Sequence, residues 1–365
     1  MSKNYVYYCI IITNITTMLK KNANIILIIF LFGSCNNLQK SDFSNNETII
    51  TGEKIDVGCM LYRPHDLIYF DPLLLFSDAY DDTLVTVFDT KNEQFVRRFI
   101  LRGNGPGDAI PPLRLFVSNA DKQIYALQSQ TGGQIKIYEP DDIINKYNVI
   151  PKQIFLEKQP TYVRKVKNGY IGIGPLFDGG RFRLYDSAGN FVSEFGEYPF
   201  RGKEIEMSPM ARYGVYQGYV AASADGNYFA IGTLYCDNLE FYSMEAGKAE
   251  LIKKYETYDA KAIFHGNMMR VDDDCILNYR AAYGDKYCYM LYSGKPHVEN
   301  GKPTRAGGNR IIVFDWNGNY LRSYKTEEVI VSFCVDEENN IIYAAVRDDN
   351  DESGGGFSIF KFNMK

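Results

Sequence analysis

Residues 84–89 read LVTVFD, a short strand-like run that ends in an aromatic residue and an aspartate. Five further segments repeat this pattern, with their aromatic residues at Tyr138, Tyr185, Tyr242, Phe314 and Phe360. The copies follow one another about every 50 residues, which is the size of one four-stranded blade of a β-propeller. Six copies therefore predict a six-bladed β-propeller.

Turn residues around the repeated strand indicate its place within a blade. A strand precedes the later copies and opens on a turn of Asp, Asn or Gly, at Asp121, Asn168, Asp225, Asp272 and Asn339. Glycine pairs precede four of the aromatic strands, at residues 132–133, 179–180, 307–308 and 355–356. Glycine supplies the positive φ angles that tight hairpins need. The order of strands and turns predicts four-stranded antiparallel blades.

The predicted propeller covers residues 55–365, and strand 357–362 completes a blade that begins near the start of the fold. No stretch of this region carries the apolar period of a helix over three turns. Residues 204–215 come nearest, but Pro209 interrupts them. A β-sandwich would also explain alternating strands, but not six copies at near-constant spacing. The predicted fold class is therefore all-β.

The composition fits such a domain. The 365 residues are 45% hydrophobic and 23% charged, the balance of a chain that can bury a core. Tyr (29) and Phe (23) are abundant, and aromatic residues favour strands. With 40 Lys and Arg against 45 Asp and Glu, the net charge is −5, which excludes nucleic-acid binding through overall positive charge. We expect a monomer with no nucleic-acid partner.

The N-terminal region resembles an export signal. From Met18 the chain reads MLKKNANIILIIFLFGSC, in which two lysines precede an apolar run and small residues precede Cys35. The apolar run, residues 25–32, is too short to cross a hydrocarbon core about 30 Å thick. The series resembles the lipobox of bacterial lipoproteins, in which the cysteine receives a diacylglycerol and becomes the acylated N-terminus. A plain signal peptide with an incidental cysteine is the alternative.

These features divide the chain into three parts. Residues 1–34 are predicted to be a signal segment, with Met18 as a second candidate for the start. Residues 35–54, polar and without pattern after the lipidated Cys35, are predicted to be a flexible tether, and residues 55–365 form the propeller. Buried acyl chains contribute about 0.8 kcal/mol per methylene, so several make a durable anchor. We expect a protein of the cell envelope, lipid-anchored to the outer membrane, and its orientation stays open.

The cysteines and histidines of this sequence do not have the spacing of a metal site. Five cysteines follow the signal, an odd number without zinc-type spacing, and they are interpreted as core residues: Cys59, Cys236, Cys275, Cys288 and Cys334. Cys275 with Cys288 is the one disulfide worth testing. The three histidines, His65, His265 and His297, lie far apart. We therefore expect no metal site and no cofactor beyond the lipid on Cys35.

Residues 103–108 read GNGPGD and follow the first blade. Together with the lipobox and six weak blades, this segment resembles the TolB-like six-bladed propeller lipoproteins of Bacteroidota, which tend to carry an acidic residue after Gly-Pro-Gly. Asp108 fills that place here. The resemblance covers most of residues 55–365 and implies a fold and an envelope location. It implies no catalytic residues, because the activity of that family is largely undefined.

Long loops on a rigid scaffold are where function usually lies. In a propeller, the connections between second and third strands and between consecutive blades share one face, here called the loop face. The notable loops assigned to it are residues 102–112, 129–134, 195–213, 283–309 and 348–356. Aromatic residues and arginine dominate binding hot spots. The candidate ligand-binding residues are Arg102, Asn104, Asp108, Tyr198, Arg201, Arg212, Tyr213 and Arg305.

Two functions remain open. The favoured one is a non-catalytic propeller on a membrane anchor that binds a glycan, peptide or protein at the loop face. The alternative is a divalent-cation-dependent hydrolase or lactonase that resembles the gluconolactonase family. It would require several carboxylate or amide oxygens to converge on one cation in the central channel.

Overall fold

The structure, a computed structural model, describes residues 43–129, 132–146, 149–199, 207–245, 247–265, 268–304, 306–347 and 356–365. The predicted signal segment and lipidation site, Cys35, lie outside these residues. Within the described part of the chain, neither helix has the length and apolar character that a membrane span requires.

The first three blades are separate four-stranded antiparallel sheets. They follow two short N-terminal strands, β1 (Glu47–Ile49) and β2 (Gly52–Ile55). Blade 1 contains β3 (Pro64–Phe70), β4 (Leu73–Asp78), β5 (Thr83–Asp89) and β6 (Gln94–Leu101). Blade 2 contains β7 (Leu113–Ser118), β8 (Gln123–Gln128), β9 (Gln134–Tyr138), helix α1 (Pro140–Asn145) and β10 (Lys152–Phe155). Blade 3 contains β11 (Tyr162–Val166), β12 (Gly169–Ile173), β13 (Phe182–Asp186) and β14 (Phe191–Phe195).

The last three blades carry most of the insertions. Helix α2 (Pro209–Tyr216) leads into blade 4, which contains β15 (Gly218–Ala222), β16 (Tyr228–Thr233), β17 (Asp237–Glu245) and β18 (Lys248–Tyr258). A hairpin of β19 (Ala262–His265) and β20 (Met268–Val271) follows. Blade 5 contains β21 (Ile276–Gly284), β22 (Cys288–Pro296), a hairpin of β23 (Val298–Glu299) and β24 (Lys302–Pro303), β25 (Gly308–Phe314) and the first part of β26 (Tyr320–Asp336). Blade 6 contains the second part of β26, β27 (Ile341–Arg347), β28 (Phe357–Asn363) and β2.

The repeated aromatic strand takes the same place in all six blades, since β5, β9, β13, β17, β25 and β28 are the third strands. This confirms the predicted fold. In blade 3 the following turn is fixed by Asp186, whose carboxylate accepts hydrogen bonds from the backbone and side-chain amides of Asn190. Gly189 supplies a φ of +93° in that turn. The segment after Asp272 differs from the prediction, because it is the first strand of blade 5 and not the second.

The two ends of the chain close the ring. The inner strands β3, β7, β11, β15, β21 and β26 contact one another in this order around a central channel, and β26 returns to β3. As predicted, β28 completes the last blade, where it pairs antiparallel with β2. Residues 43–54, predicted as part of a flexible tether, are folded instead. β1 pairs parallel with β26, and Phe43 is buried against Tyr255 and Phe314.

Most insertions lie on the loop face. α2 precedes blade 4 there, and Met269 of the β19–β20 hairpin lies close to Gly214 of α2. Pro209, read from the sequence as a helix breaker, begins α2, and Ser208 caps it by accepting a hydrogen bond from the Ala211 amide. A proline is tolerated at the first helical position because the N–H that it lacks would have no acceptor within the helix. The predicted loop 283–309 is wrong as a single loop, since it contains β22 and one further hairpin.

Candidate functional site

A cavity of about 920 Å³ runs along the central channel. Residues from all six inner strands line it, from Tyr62 and Tyr80 on the loop face to Asp121 and Asp225 in the turns on the opposite face. That opposite face, formed by the turns between first and second strands, is here called the turn face. The volume falls in the range of small-molecule sites, about 300–1,000 Å³.

A hydrogen bond spans the channel at the turn face. Asn119 Nδ2, in a turn of blade 2, donates to Asp285 Oδ2, in a turn of blade 5, over 3.1 Å. These blades lie opposite each other in the ring, so the bond crosses the mouth. Burial raises the pKa of Asp285, while Asn119 lowers it and Glu338 raises it further. The bond therefore obstructs access to the channel from the turn face.

Positive charge dominates the channel lining. Seven arginine or lysine residues and three aspartates line the cavity within the described part of the chain, although the whole protein has a net charge of −5. Asp66 on β3 already has partners, because it accepts a hydrogen bond from the Leu115 amide over 3.0 Å and lies 3.5 Å from Arg114 Nη1. This distribution favours an anionic occupant.

Two channel arginines lack a carboxylate partner among the described residues. Arg164 Nη1 donates to the carbonyl of its neighbour Val163 over 2.9 Å, and its guanidinium lies 5.8 Å from the Phe116 ring. Burial lowers the pKa of Arg164, which Asp66 partly offsets. The buried Nε of Arg280, on β21, has no acceptor among the described residues. Both groups can donate hydrogen bonds to a ligand.

Neutral polar groups accompany these arginines. Tyr162 packs under Arg114 at 4.4 Å and against Tyr219 at 5.2 Å between ring centroids. Burial raises the pKa of Tyr162 well above its usual value, so its phenol stays protonated at neutral pH. Burial and the nearby Arg114 lower the pKa of His65, which is therefore an uncharged imidazole at neutral pH. These neutral groups can donate hydrogen bonds, and they add no negative charge to that of the three aspartates in the lining.

Aromatic side chains flank the entrance on the loop face. The side chains of Tyr62 and Tyr80 are 48% and 64% exposed, and both line the cavity. Arg63 lies beside them, with its Nη1 3.1 Å from the Tyr80 hydroxyl. Exposed tyrosines beside a cavity provide flat surfaces on which a ring or apolar group can pack.

Of the candidate residues predicted from the sequence, those in or next to the GNGPGD loop mainly hold the loop in place. Arg102 donates to the carbonyls of Ala79 and Asp81 and so ties this loop to blade 1. Asp108 Oδ2 accepts a hydrogen bond from the Gly105 amide over 3.0 Å, which fixes the turn. Asn104 is exposed. None of the three lines the cavity, so their part in binding stays a prediction.

The residues predicted around α2 are packed. Tyr198 is buried beneath the Arg212 guanidinium at 4.8 Å, and Arg212 donates to the Phe177 carbonyl. The Tyr213 hydroxyl shares a hydrogen bond with Thr161 Oγ1, and burial raises the pKa of Tyr213 to about 12. Substitution of these side chains would therefore change stability as well as binding. Arg201 and Arg305 lie outside the described residues.

The sequence analysis missed the channel arginines. Arg114, Arg164 and Arg280 lie within inner strands made largely of apolar and aromatic residues, and a charge in such a strand was the available signal. For the cation site of the alternative function, no three His, Cys, Asp or Glu side chains of the described residues converge on a possible ion position. The described cysteines are free, so Cys275 does not pair with Cys288.

Comparisons with known proteins agree with this architecture. A family profile described as TolB-like 6-blade propeller-like matches residues 40–338. The chain belongs to this TolB-like family. Among solved structures, the chain is similar to a Bacteroides fragilis protein that is described as exported. The two share 12% sequence identity and a TM-score of 0.53 over 87% of this chain and 95% of that one. A DUF4221-family member from Bacteroides vulgatus is similar at 12% identity and a TM-score of 0.55, over 87% and 96% of the two chains. A search of curated proteins found no match.

Proposed function

We propose that this TolB-like protein is a binding protein of the cell envelope that takes a small molecule into its channel from the loop face. The cavity of about 920 Å³ carries this proposal, because its volume suits a small molecule and its turn-face mouth is spanned by the Asn119–Asp285 hydrogen bond. The sequence predicts a glycan, a peptide or a protein as the ligand. A channel of this size favours a saccharide or short peptide over a protein.

The envelope location rests on the sequence and on the relatives. The series from Lys20 to Cys35 has the order of a lipobox, and one structural relative is assigned as exported. We therefore propose that Cys35 carries the lipid anchor. A Cys35→Ser variant is expected to lose metabolic palmitate labelling and to leave the membrane fraction. Continued acylation of the variant would contradict the assignment.

The lactonase alternative has weaker support. That chemistry requires converging oxygen ligands, and no three His, Cys, Asp or Glu side chains of the described residues converge on a possible ion position. The surplus of positive charge also repels a divalent cation. Binding without catalysis is therefore the function that we favour.

A pair of channel-mouth variants tests the binding proposal. Ala306 and Ala120 are exposed and line the cavity at the loop-face and turn-face mouths, respectively. A panel of saccharides and short peptides is screened by the shift in unfolding temperature. We expect Ala306→Trp to weaken the binding of each hit at least tenfold and Ala120→Trp to leave it unchanged. The proposal fails if no compound stabilises the wild type or if Ala306→Trp binds every hit normally.

A further inference from the structure

We infer that the channel ligand carries an oxyanion group, a carboxylate or a phosphate, which Arg164 and Arg280 bind. This inference rests on the proposed function and specifies the chemistry of its ligand. The cavity and its charged lining carry the argument.

Two buried arginines outside the channel have carboxylate partners. Arg183 pairs with Glu194 over 2.6 Å, and Arg181 pairs with Glu240 over 2.8 Å. In contrast, neither Arg164 nor Arg280 pairs with a carboxylate of the described residues. Arg164 bonds to one backbone carbonyl, and the buried Nε of Arg280, like Nε of Arg181, has no acceptor there. A buried donor without an acceptor carries a cost in stability. A bound anion would remove that cost at Arg280.

The local carboxylate cannot satisfy these arginines. Asp66 accepts the Leu115 amide and lies beside Arg114, so its two oxygens are already engaged. Arg164 and Arg114 also repel each other, which contributes to the lowered pKa of Arg164 after the larger effect of burial. An incoming anion would reduce this repulsion. The guanidinium fork matches the planar edge of a carboxylate or two oxygens of a phosphate.

Other features indicate an organic anion rather than a free ion. The cavity is far larger than an inorganic ion requires. Tyr62 and Tyr80 at the entrance provide exposed rings for the uncharged part of the ligand. Tyr162 and Tyr213 remain protonated because burial raises the pKa of each phenol, so neither adds a charge that would repel an anion.

Three sugars that differ at one carbon provide the test: glucose, glucuronate and glucose 6-phosphate, with inorganic phosphate as the bare ion. Binding is measured at low ionic strength from the shift in unfolding temperature, which grows with ligand occupancy. We expect the two sugar anions to bind the wild type at least tenfold more tightly than glucose. Whichever of them binds more tightly identifies the carboxylate or the phosphate as the recognised group.

Matched variants identify the arginines responsible. Arg164→Gln and Arg280→Gln should each weaken anion binding at least tenfold, whereas Arg322→Gln, at an exposed position on the outer part of β26, should leave it unchanged. Without ligand, both channel variants should unfold at or above the wild-type temperature, because each removes an unpaired cation. This readout separates a ligand site from a structural role.

Several outcomes would overturn the inference. They are a wild type that no anion stabilises, equal affinity for glucose and its anions, and channel variants that keep full anion binding. A neutral saccharide or peptide that binds the wild type and both arginine variants equally, but is blocked by Ala306→Trp, would overturn this inference and leave the proposed function intact.

Discussion

Two arginines of this protein, Arg181 and Arg164, show how the same side chain serves different purposes. Arg181, between blades 3 and 4, is 2% exposed and lies 2.8 Å from Glu240, although its Nε and Nη2 find no acceptor among the described residues. Arg164 lines the channel and has no carboxylate partner in the described part of the chain. A buried cation is retained structurally when a carboxylate neutralises it. Arg164, an unpaired cation beside a cavity, is one of the groups that we propose for ligand binding.

The largest expected effect comes from breaking the buried pair. Glu240→Gln leaves Arg181 as an uncompensated buried charge, which should lower the free energy of unfolding by about 3–5 kcal/mol. Urea unfolding measures the loss. Glu250→Gln, at an exposed position on β18, is the control and should unfold like the wild type. A loss below about 1 kcal/mol at Glu240 would show that the ion pair is not what holds Arg181.

The second-largest loss of stability is expected at a less deeply buried ion pair in blade 3. Glu194 accepts hydrogen bonds from Arg183 Nε at 2.9 Å and Nη2 at 2.6 Å. Because hydrogen bonds to charged groups contribute about 1.5–3 kcal/mol, Glu194→Gln should lower the free energy of unfolding by an amount in that range. Glu157, an exposed carboxylate 3.7 Å from Arg183 Nη1, provides the control. Equal effects of Glu157→Gln and Glu194→Gln would contradict the role of burial.

Asp285 extends the comparison to a carboxylate whose partner is an amide. Burial raises the pKa of Asp285 above 3.8, so ionisation disfavours the folded state, and stability falls as pH rises through the raised pKa. Asp285→Asn should therefore stabilise the protein at pH 7, with no corresponding advantage at pH 3, where both folded and unfolded wild type are largely protonated. Unfolding free energies measured across this range provide the check. An advantage that grows toward low pH would refute the assignment.

The smallest effect is expected at a solvent-exposed pair. Lys158 Nζ lies 2.7 Å from Asp178 Oδ2, and both side chains are well exposed. Such pairs contribute little because water and salt screen them. Asp178→Asn should unfold at the wild-type denaturant midpoint. A shift that disappears at high salt would mean that this pair contributes more than its exposure suggests.

The fold could be predicted from the sequence because each blade repeats local signals. The aromatic third strand and the Asp-Gly turn at Asp186 and Gly189 depend on nearby residues alone. The helix at Pro209 was missed because a proline can either break or begin a helix, and the choice depends on its cap, here Ser208. The folded state of residues 43–54 was missed because it depends on partners such as Phe314, far along the chain.

The candidate site was harder to predict. Prediction placed it on loops rich in arginine and tyrosine, but Arg102 and Arg212 bond to backbone carbonyls instead of lining the cavity. The channel arginines come from different blades, so ring closure, and not their spacing in the sequence, brings all of them into the lining of one cavity. A charged residue within an inner strand is visible in the sequence, but the absence of a partner is visible only in three dimensions.

The pairing of β2 with β28 also sets the order in which the molecule can be made. Gly52 lies opposite Phe362, and Ile55 lies opposite Ile359. During synthesis, β2 therefore has no partner strand until residues 359–362 have left the ribosome. Contacts between such distant residues slow folding. The ring therefore cannot close before β28 is available, and such late closure suits a chain that would be threaded across a membrane before it folds.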